Sequence, residues 1–427
     1  MIKKRTILIL LVFICILVPI GAEILPLDRA ISLAMENVLA IRSAELTKKK
    51  AFQIAETNEL LPSLGVSYSF NQDFDPVQAT FGDATHTAKV ALNWSLSGSS
   101  FLQKKEKALS QSTALFSYDA TVDEIISGIT NQYWNLSASR LSMESASANH
   151  EAAVESYSQV LALYDASRAT SLQLSQAKLY LRETELDLKQ IKDEYEQAKR
   201  DFLENLGLAS DYGFELEEMP EPQPMDSEKV EKLVAENLTD TIAVQQAFNA
   251  LEVAVIEREA AILDARVPQL TTSLGYSFMQ TGSSFGSQPM QLSVAISIPL
   301  DSYLPTSSAN IAIKDTTIGI SQAELGIQMV KQELQRDVRN ILTTIENAYL
   351  LHQRQQEYLD LARETLGLTT EAYEVGLATL ADYNATKRDA YQAEITLVNR
   401  TLDYLLACYD LADLLDITYE TVMRSLI

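Results

Sequence analysis

Residues 373–382 read Tyr-Glu-Val-Gly-Leu-Ala-Thr-Leu-Ala-Asp and join two long helical patterns. The same skeleton, Tyr-acid-x-small-x-Ala-Thr, begins 209 positions earlier, in residues 164–171. The correspondence runs on without a gap, so that Lys178 falls on Lys387. A turn that recurs together with its flanking helix predicts a chain built from two copies of one unit.

The N-terminus has the three parts of a secretory signal. Basic residues at positions 3–5 precede an apolar run over residues 7–20, and Gly21-Ala22 follows as a small-residue cleavage site. We interpret residues 1–22 as a signal peptide; the alternative is a membrane anchor, for which the run is near the lower length limit. No other stretch of the sequence is long and apolar enough to predict a spanning helix.

The charge balance of the sequence limits the classes of macromolecule that the protein can bind. Removing residues 1–22 takes away three basic residues and no acidic ones, which leaves 31 basic against 58 acidic residues. Such an excess of acid argues against nucleic-acid binding, which needs a basic surface. The 14 glycines and 11 prolines are few for this length, so the sequence predicts few, long elements.

The periodicity of apolar residues predicts the same order of elements twice. The first repeat, 23–207, comprises a helix over 27–59, a β-hairpin over 63–97, a long helix from 101 to about 164, a tip turn over 164–171 and a return helix to 206 with a heptad seam. An acidic, proline-containing linker spans 208–226. The second repeat, 227–427, comprises a helix over 227–266, a hairpin over 269–299, a long helix over 307–373, a tip turn over 373–382 and a return helix to about 415.

The four strands alternate apolar residues with small or polar ones and are long enough to cross a membrane as barrel strands. In a soluble sheet the apolar face would cover a core, and in a membrane barrel it would face lipid. We predict that it faces lipid through eight side chains in particular: Tyr68, Phe70, Leu92, Trp94, Tyr276, Phe278, Val294 and Ile296.

Helix lengths constrain the fold class. Each long helix extends roughly 100 Å, and the two short helices of a repeat together nearly match it. We therefore predict a mainly α protein of long coiled-coil helices with a membrane β-barrel. Four strands cannot close a barrel, so other copies of the chain must complete it.

This order of elements resembles the TolC-type outer membrane efflux protein family over essentially the whole mature chain. The marks are Leu-Leu-Pro-Ser-Leu at 60–64, Val-Pro-Gln-Leu at 267–270, the twofold repeat and, most specifically, Tyr-x-Val-Gly-Leu-x-Thr at 373–379. The resemblance implies a homotrimer with a twelve-stranded outer-membrane barrel and a periplasmic α-barrel. It also implies docking of a periplasmic adaptor on the tip turns and, through the adaptor, an inner-membrane transporter.

Site residues are carried over position by position. The resemblance implies an adaptor-docking tip and a pore constriction; the docking residues are Val375, Gly376 and Leu377 with Ala166, Ser167 and Arg168, and the constriction residues are Asp382, Tyr373 and Tyr164. Alternatively, Gly376 only stops a helix and Asp382 only complements a helix N-terminus. The family's second constricting carboxylate is absent, because position 385 is Ala.

Nothing in the sequence predicts catalysis or a cofactor. The three histidines are far apart, and there is neither a phosphate-binding glycine loop nor a nucleophile elbow. The sequence predicts a passive outer-membrane exit duct for an efflux pump or type I secretion system, favouring cationic cargo if carboxylates line its lumen. A periplasmic coiled-coil structural or adaptor protein is the alternative.

Overall fold

The computed structural model describes residues 23–426 apart from 58–60, 76–79, 282–283 and 288, so the predicted signal peptide lies outside the described residues. The helices are α1 (Leu27–Asn37), α2 (Leu39–Glu56), α3 (Gln103–Asp165), α4 (Ser171–Asn205), α5 (Ser227–Asn237), α6 (Ile242–Arg266), α7 (Ser308–Glu374), α8 (Leu380–Leu414) and α9 (Tyr419–Leu426). The strands are β1 (Glu23–Leu25), β2 (Ser63–Asn71), β3 (Phe74–Asp75), β4 (Thr80–Phe81), β5 (Thr85–Leu96), β6 (Phe214–Leu216), β7 (Gln269–Thr281), β8 (Ser284–Ser287) and β9 (Gln291–Ser297).

The two long helices contain 63 and 67 residues, close to the predicted lengths. Continuous helices predicted over 27–59 and 227–266 are wrong, because both are interrupted. Val38 is extended and separates α1 from α2, while residues 238–241 separate α5 from α6. At the first break the Asn37 side-chain amide donates to the Leu206 carbonyl oxygen, a contact that residues 27–59 alone cannot reveal.

Two compact units divide the described chain, and each takes residues from both repeats. The first contains 23–38, 128–221 and 352–402, and the second contains 39–127, 222–351 and 403–426. In the first unit, β1 pairs in parallel with β6, which lies inside the predicted linker. The fully buried Tyr133 hydroxyl donates to the Leu25 carbonyl oxygen and accepts from the Glu217 amide, so it links the two strands at their C-terminal ends.

The core of the second unit forms around the C-terminal part of α8. Tyr404, Cys408 and Leu411 are completely buried there, and the Tyr404 hydroxyl donates to the Gln223 carbonyl oxygen at 2.8 Å. Helix α9 packs on α5, with Val422 and Val230 buried. Because α9 is short and has no counterpart in the first repeat, the repeat pattern did not predict it.

The second unit also carries the sheet. Its long strands follow the order β2-β5-β7-β9, every neighbour is antiparallel, and the registers run without a bulge. The short β8 pairs with the end of β7 beside β9. β2 and β9 are the outer long strands, so each has one edge unpaired within the described chain.

Candidate functional site

The two tip turns have the same backbone hydrogen bonds. In the first, the Ser167 amide donates to the Tyr164 carbonyl oxygen at 2.8 Å and the Arg168 amide donates to the Leu163 carbonyl oxygen at 2.7 Å. In the second, the Gly376 amide donates to the Tyr373 carbonyl oxygen at 3.0 Å and the Leu377 amide donates to the Ala372 carbonyl oxygen at 2.7 Å. This paired pattern is a Schellman motif, which ends a helix by placing one residue in the left-handed region.

The left-handed residue differs between the turns. Gly376 has φ +79°, and Ser167, at the equivalent position, has φ +59°. A non-glycine residue in this region is strained, but here the flanking hydrogen bonds hold it. The serine therefore does not change the turn type.

Each turn is followed by a reciprocal capping box. The Thr170 hydroxyl accepts from the Gln173 amide at 3.2 Å, and the Gln173 side chain accepts from the Thr170 amide at 2.8 Å. In the second repeat Thr379 and Asp382 make the same exchange, with both backbone bonds at 3.1 Å. These boxes satisfy N–H groups that would otherwise be unpaired at the start of α4 and α8.

Asp382 therefore has a structural role at the predicted constriction. It lies fully exposed at the start of α8, and the hydrogen bonds from Thr379 lower the pKa of its carboxyl group. The box with Asp382 ionised is stable above the ordinary pKa of an aspartate and is lost as the pH falls through the lowered value. The constriction role assigned to this residue by the resemblance remains a prediction.

A small apolar cluster lies beneath the turns and joins all four long helices. Its buried members are Val160, Ala177 and Leu380, and the partly buried residues against it are Tyr157, Leu174, Tyr373 and Tyr383. The rings of Tyr373 and Tyr383 stack with their centroids 5.3 Å apart and their planes at 9°. Burial raises the pKa of both hydroxyl groups. Of the predicted constriction residues, Tyr373 thus belongs to this cluster, whereas Tyr164 is exposed.

Polar links, which the sequence did not predict, also connect the helices of the first unit. Arg388 on α8 reaches Glu183 on α4 at 3.2 Å. Glu394, also on α8, accepts from Arg363 on α7 at 3.2 Å and from Ser145 on α3 at 2.9 Å. The two ion pairs are half exposed, so each contributes little to stability and can break when the helices move.

Both tip turns are exposed to solvent. All six predicted docking residues are exposed. Leu377 is 84% exposed, more than any other large apolar side chain in the described chain, and Val375 is 70% exposed. A Cβ placed on Gly376 would have no atom within 4 Å, so glycine is favoured here by its φ and not by a crowded neighbour.

The sheet has one apolar and one polar face. Residues directly opposite in the register share a face, and the pairs Leu64–Leu92, Val90–Tyr276 and Leu270–Ile296 each lie on the apolar one. The eight residues predicted to face lipid all lie on this face by the same register. Serine, threonine, asparagine and glutamine dominate the opposite face.

The described residues hold no group of three His, Cys, Asp or Glu side chains placed to bind a metal ion. Within the same part of the chain, no helix is both long and apolar enough to cross a membrane.

The sequence and the fold of this chain are both similar to those of known outer membrane proteins. The family model for outer membrane efflux proteins matches residues 242–415. The fold is similar to that of the outer membrane channel CmeC from Campylobacter jejuni (TM-score 0.69, 16% identity, 91% of this chain and 85% of that chain). It is also similar to the open state of the MtrE outer membrane channel from Neisseria gonorrhoeae (TM-score 0.68, 17% identity, 92% of this chain and 89% of that chain). No curated protein matches the chain by sequence.

The chain thus has the fold of an outer membrane channel over about nine-tenths of its length. In addition, residues 242–415 match the family model for outer membrane efflux proteins, so this part of the chain carries the sequence pattern of that family. The resemblance stated from the repeat and its turns is confirmed.

Proposed function

We propose that the protein is the outer-membrane exit duct of a tripartite efflux pump or type I secretion system. The observation that carries this proposal is the register of the sheet, which gathers the long apolar side chains of four strands on one exposed face. A sheet in water does not leave such a face uncovered, whereas a barrel strand in a membrane must present one. The α-helical part then extends into the periplasm.

The edges of the sheet require other copies of the chain, and the family resemblance implies that the assembly is a homotrimer. β2 and β9 each leave a row of backbone donors and acceptors unpaired in one chain, and such groups cannot remain unpaired in lipid. Joining β9 of one copy to β2 of the next satisfies them, and three copies give twelve strands. With strands about 4.8 Å apart and tilted by about 40°, twelve strands enclose a barrel of radius about 12 Å, measured at the backbone.

The helices offer matching contact surfaces. Three stripes of exposed apolar side chains have a spacing of seven residues: Leu172, Leu179 and Leu186 on α4, Ile311, Ile318 and Leu325 on α7, and Leu361 and Leu368 further along α7. A seven-residue spacing is that of a coiled-coil seam. We assign these stripes to contacts between copies of the chain in the α-barrel.

The test of this function is the location and the mass of the native protein. We expect it in the outer membrane fraction, extracted by detergent as a trimer that conducts ions in a planar bilayer. A soluble periplasmic dimer would contradict the duct and favour the coiled-coil structural protein.

The adaptor is assigned to the tip turns, where Val375 and Leu377 flank the open space over Gly376. Replacing Gly376 by Asn tests this, because Asn tolerates the left-handed region while adding a side chain to the surface. We expect adaptor binding, measured by cross-linking or co-purification, to weaken by about tenfold, or ~1.4 kcal/mol, with trimers intact.

Ser167→Asn is the matched control, since it introduces the same side chain at the equivalent position of the other turn. A smaller loss is expected there, because that turn already carries a side chain at the left-handed position. Unchanged adaptor binding in the Gly376→Asn trimer would remove the docking assignment.

A further inference from the structure

One side chain distinguishes the polar face of the sheet. The strands β2, β5, β7 and β9 contain no aspartate, glutamate or arginine, and they contain one lysine, Lys89 on β5. The register pairs Lys89 with Ser67 of β2 and with Ser277 of β7, so all three lie on the polar face. This face therefore carries a single formal charge, and that charge is positive in a protein whose net charge is −24.

The neighbours of Lys89 leave its charge uncompensated. Lys89 is exposed, and no described carboxylate lies within ion-pair distance of it. Its Cε lies 3.3 Å from the position that a Cβ would take on Gly275 of β7, so the glycine makes room for the lysine stem against the sheet. The residues around it on β2 and β7 are Ser67, Ser277 and Gly275, none of which can accept a proton or neutralise the ammonium group.

In the proposed trimer, threefold symmetry repeats the positive charge of Lys89 three times. If the apolar face meets lipid, the polar face lines the lumen, and a trimer presents Lys89 three times at one height of the barrel. For a backbone radius of about 12 Å, ammonium groups that project inward lie within a Debye length of about 10 Å of the axis at 0.1 M salt. The field of such a ring is felt by ions across the whole lumen.

We propose that Lys89 is a specificity-determining residue of the barrel, where its ring of ammonium groups favours anionic over cationic solutes. This inference rests on the proposed function as a trimeric duct. It differs from the expectation drawn from the overall acidic composition, because the four long strands β2, β5, β7 and β9 contain no carboxylate.

The experiment compares the chloride-to-potassium permeability ratio of the parent with that of Lys89→Gln and Lys89→Glu trimers. The ratio is taken from the zero-current potential of planar bilayers under a KCl gradient. At about 0.1 M salt, three screened charges near the axis predict a fall on the order of fourfold for Lys89→Gln and a larger fall for Lys89→Glu. At about 1 M, where the Debye length is about 3 Å, the differences should largely disappear.

Two controls keep the result specific. Lys104→Gln removes the same charge from the start of α3, outside the strands, and should leave the ratio unchanged. Lys89→Arg keeps the charge and should also retain the parental ratio. Detergent-stable trimers and normal single-channel conductance establish that each variant has assembled.

The possible failures are distinguishable. Conducting Lys89→Gln and Lys89→Glu trimers with the parental ratio at low salt would overturn the role of Lys89 and leave the duct standing. Parent trimers that do not conduct at all would overturn the proposed function and this inference with it.

Discussion

At the scale of single residues, the two repeats keep the backbone and vary the side chains. Ser167 replaces Gly376 in the left-handed position, and Gln173 replaces Asp382 in the capping box, yet the hydrogen bonds are the same. A third pair of equivalent residues, at the ends of α4 and α8, likewise keeps the backbone conformation while the side chain differs. There Gly207 has φ +67° and Asp416 has φ +52°, each with the amide of the following residue bonded five residues back.

The substitution of Gln for Asp inside equivalent capping boxes permits a clean test of the constriction. Asp382→Gln should keep the box, because Gln173 already does so in the first turn, while removing the carboxylate charge. We expect an unchanged thermal midpoint and a weaker block of the channel by multivalent cations. Asp382→Ala, which loses both the cap and the charge, should change both measurements.

These two variants separate the interpretations of Asp382. Cation block in Asp382→Gln channels equal to that of the parent would show that Asp382 acts only as a helix cap.

At the scale of elements, α3 and α8 bring together carboxylates that are far apart in the sequence. Burial, and then the charges of Asp416, Asp413 and Asp119, raise the pKa of Asp123 to about 6. Burial likewise raises the pKa of Asp413 and Asp416. Asp416 nevertheless serves the fold, since its side chain accepts from the Ile242 amide at 2.6 Å and caps α6.

The sign of the pH dependence follows from Asp123. A carboxyl whose pKa is higher in the folded state contributes stability that is fully present below its unfolded value, near pH 4, and that is lost as the pH rises through about 6. We therefore expect Asp123→Asn to stabilise the protein at pH 7.5 by about 1 kcal/mol, a figure discounted for solvent screening of this partly exposed group. Denaturant unfolding at pH 4 and pH 7.5 measures it.

At pH 4 parent and variant should be nearly equal. A variant less stable than the parent at pH 7.5 would show that the Asp123 carboxylate makes a favourable contact that outweighs the repulsion.

The sequence predicted those elements whose signal is local. The 3.6 and 2 periodicities located the long helices and the four long strands, and the repeated turn located both tips. It missed the break at Val38, because that break depends on the contact of Asn37 with Leu206, 169 residues away. It missed β6 as well, since a three-residue strand has no readable period and its partner is the N-terminal β1. The Tyr373–Tyr383 stack and the ion pairs across the helices depend on tertiary packing in the same way.

At the scale of the whole molecule, one chain leaves more apolar surface exposed than a monomer in water can keep. The sheet and the three heptad stripes account for much of it, and each kind of surface calls for a different cover. In the proposed duct, lipid covers the sheet and neighbouring copies cover the helices. On that proposal assembly is part of folding, and we expect the stability of the protein to depend on the protomer concentration.

The stripe on α4 gives this argument a test. Leu179→Glu places a charge in the middle of the stripe, and we expect it to weaken each contact between copies by on the order of 2 kcal/mol. Lys192→Gln changes the net charge by the same amount on another side of α4 and should assemble normally. Oligomeric mass in detergent at falling protein concentration measures both variants, and trimers of Leu179→Glu as persistent as those of Lys192→Gln would contradict the assignment.

The near-identity of the two tip turns bears on the stoichiometry of the assembly. A trimer presents six turns with one backbone shape but only three with glycine at the left-handed position. A partner that recognises the backbone and the exposed apolar flanks would bind six copies per channel, whereas a partner that needs the open space over Gly376 would bind three. In the proposed trimer, the feature that the adaptor recognises therefore determines whether the valence is sixfold or threefold, and counting the bound adaptor molecules per trimer would distinguish the two.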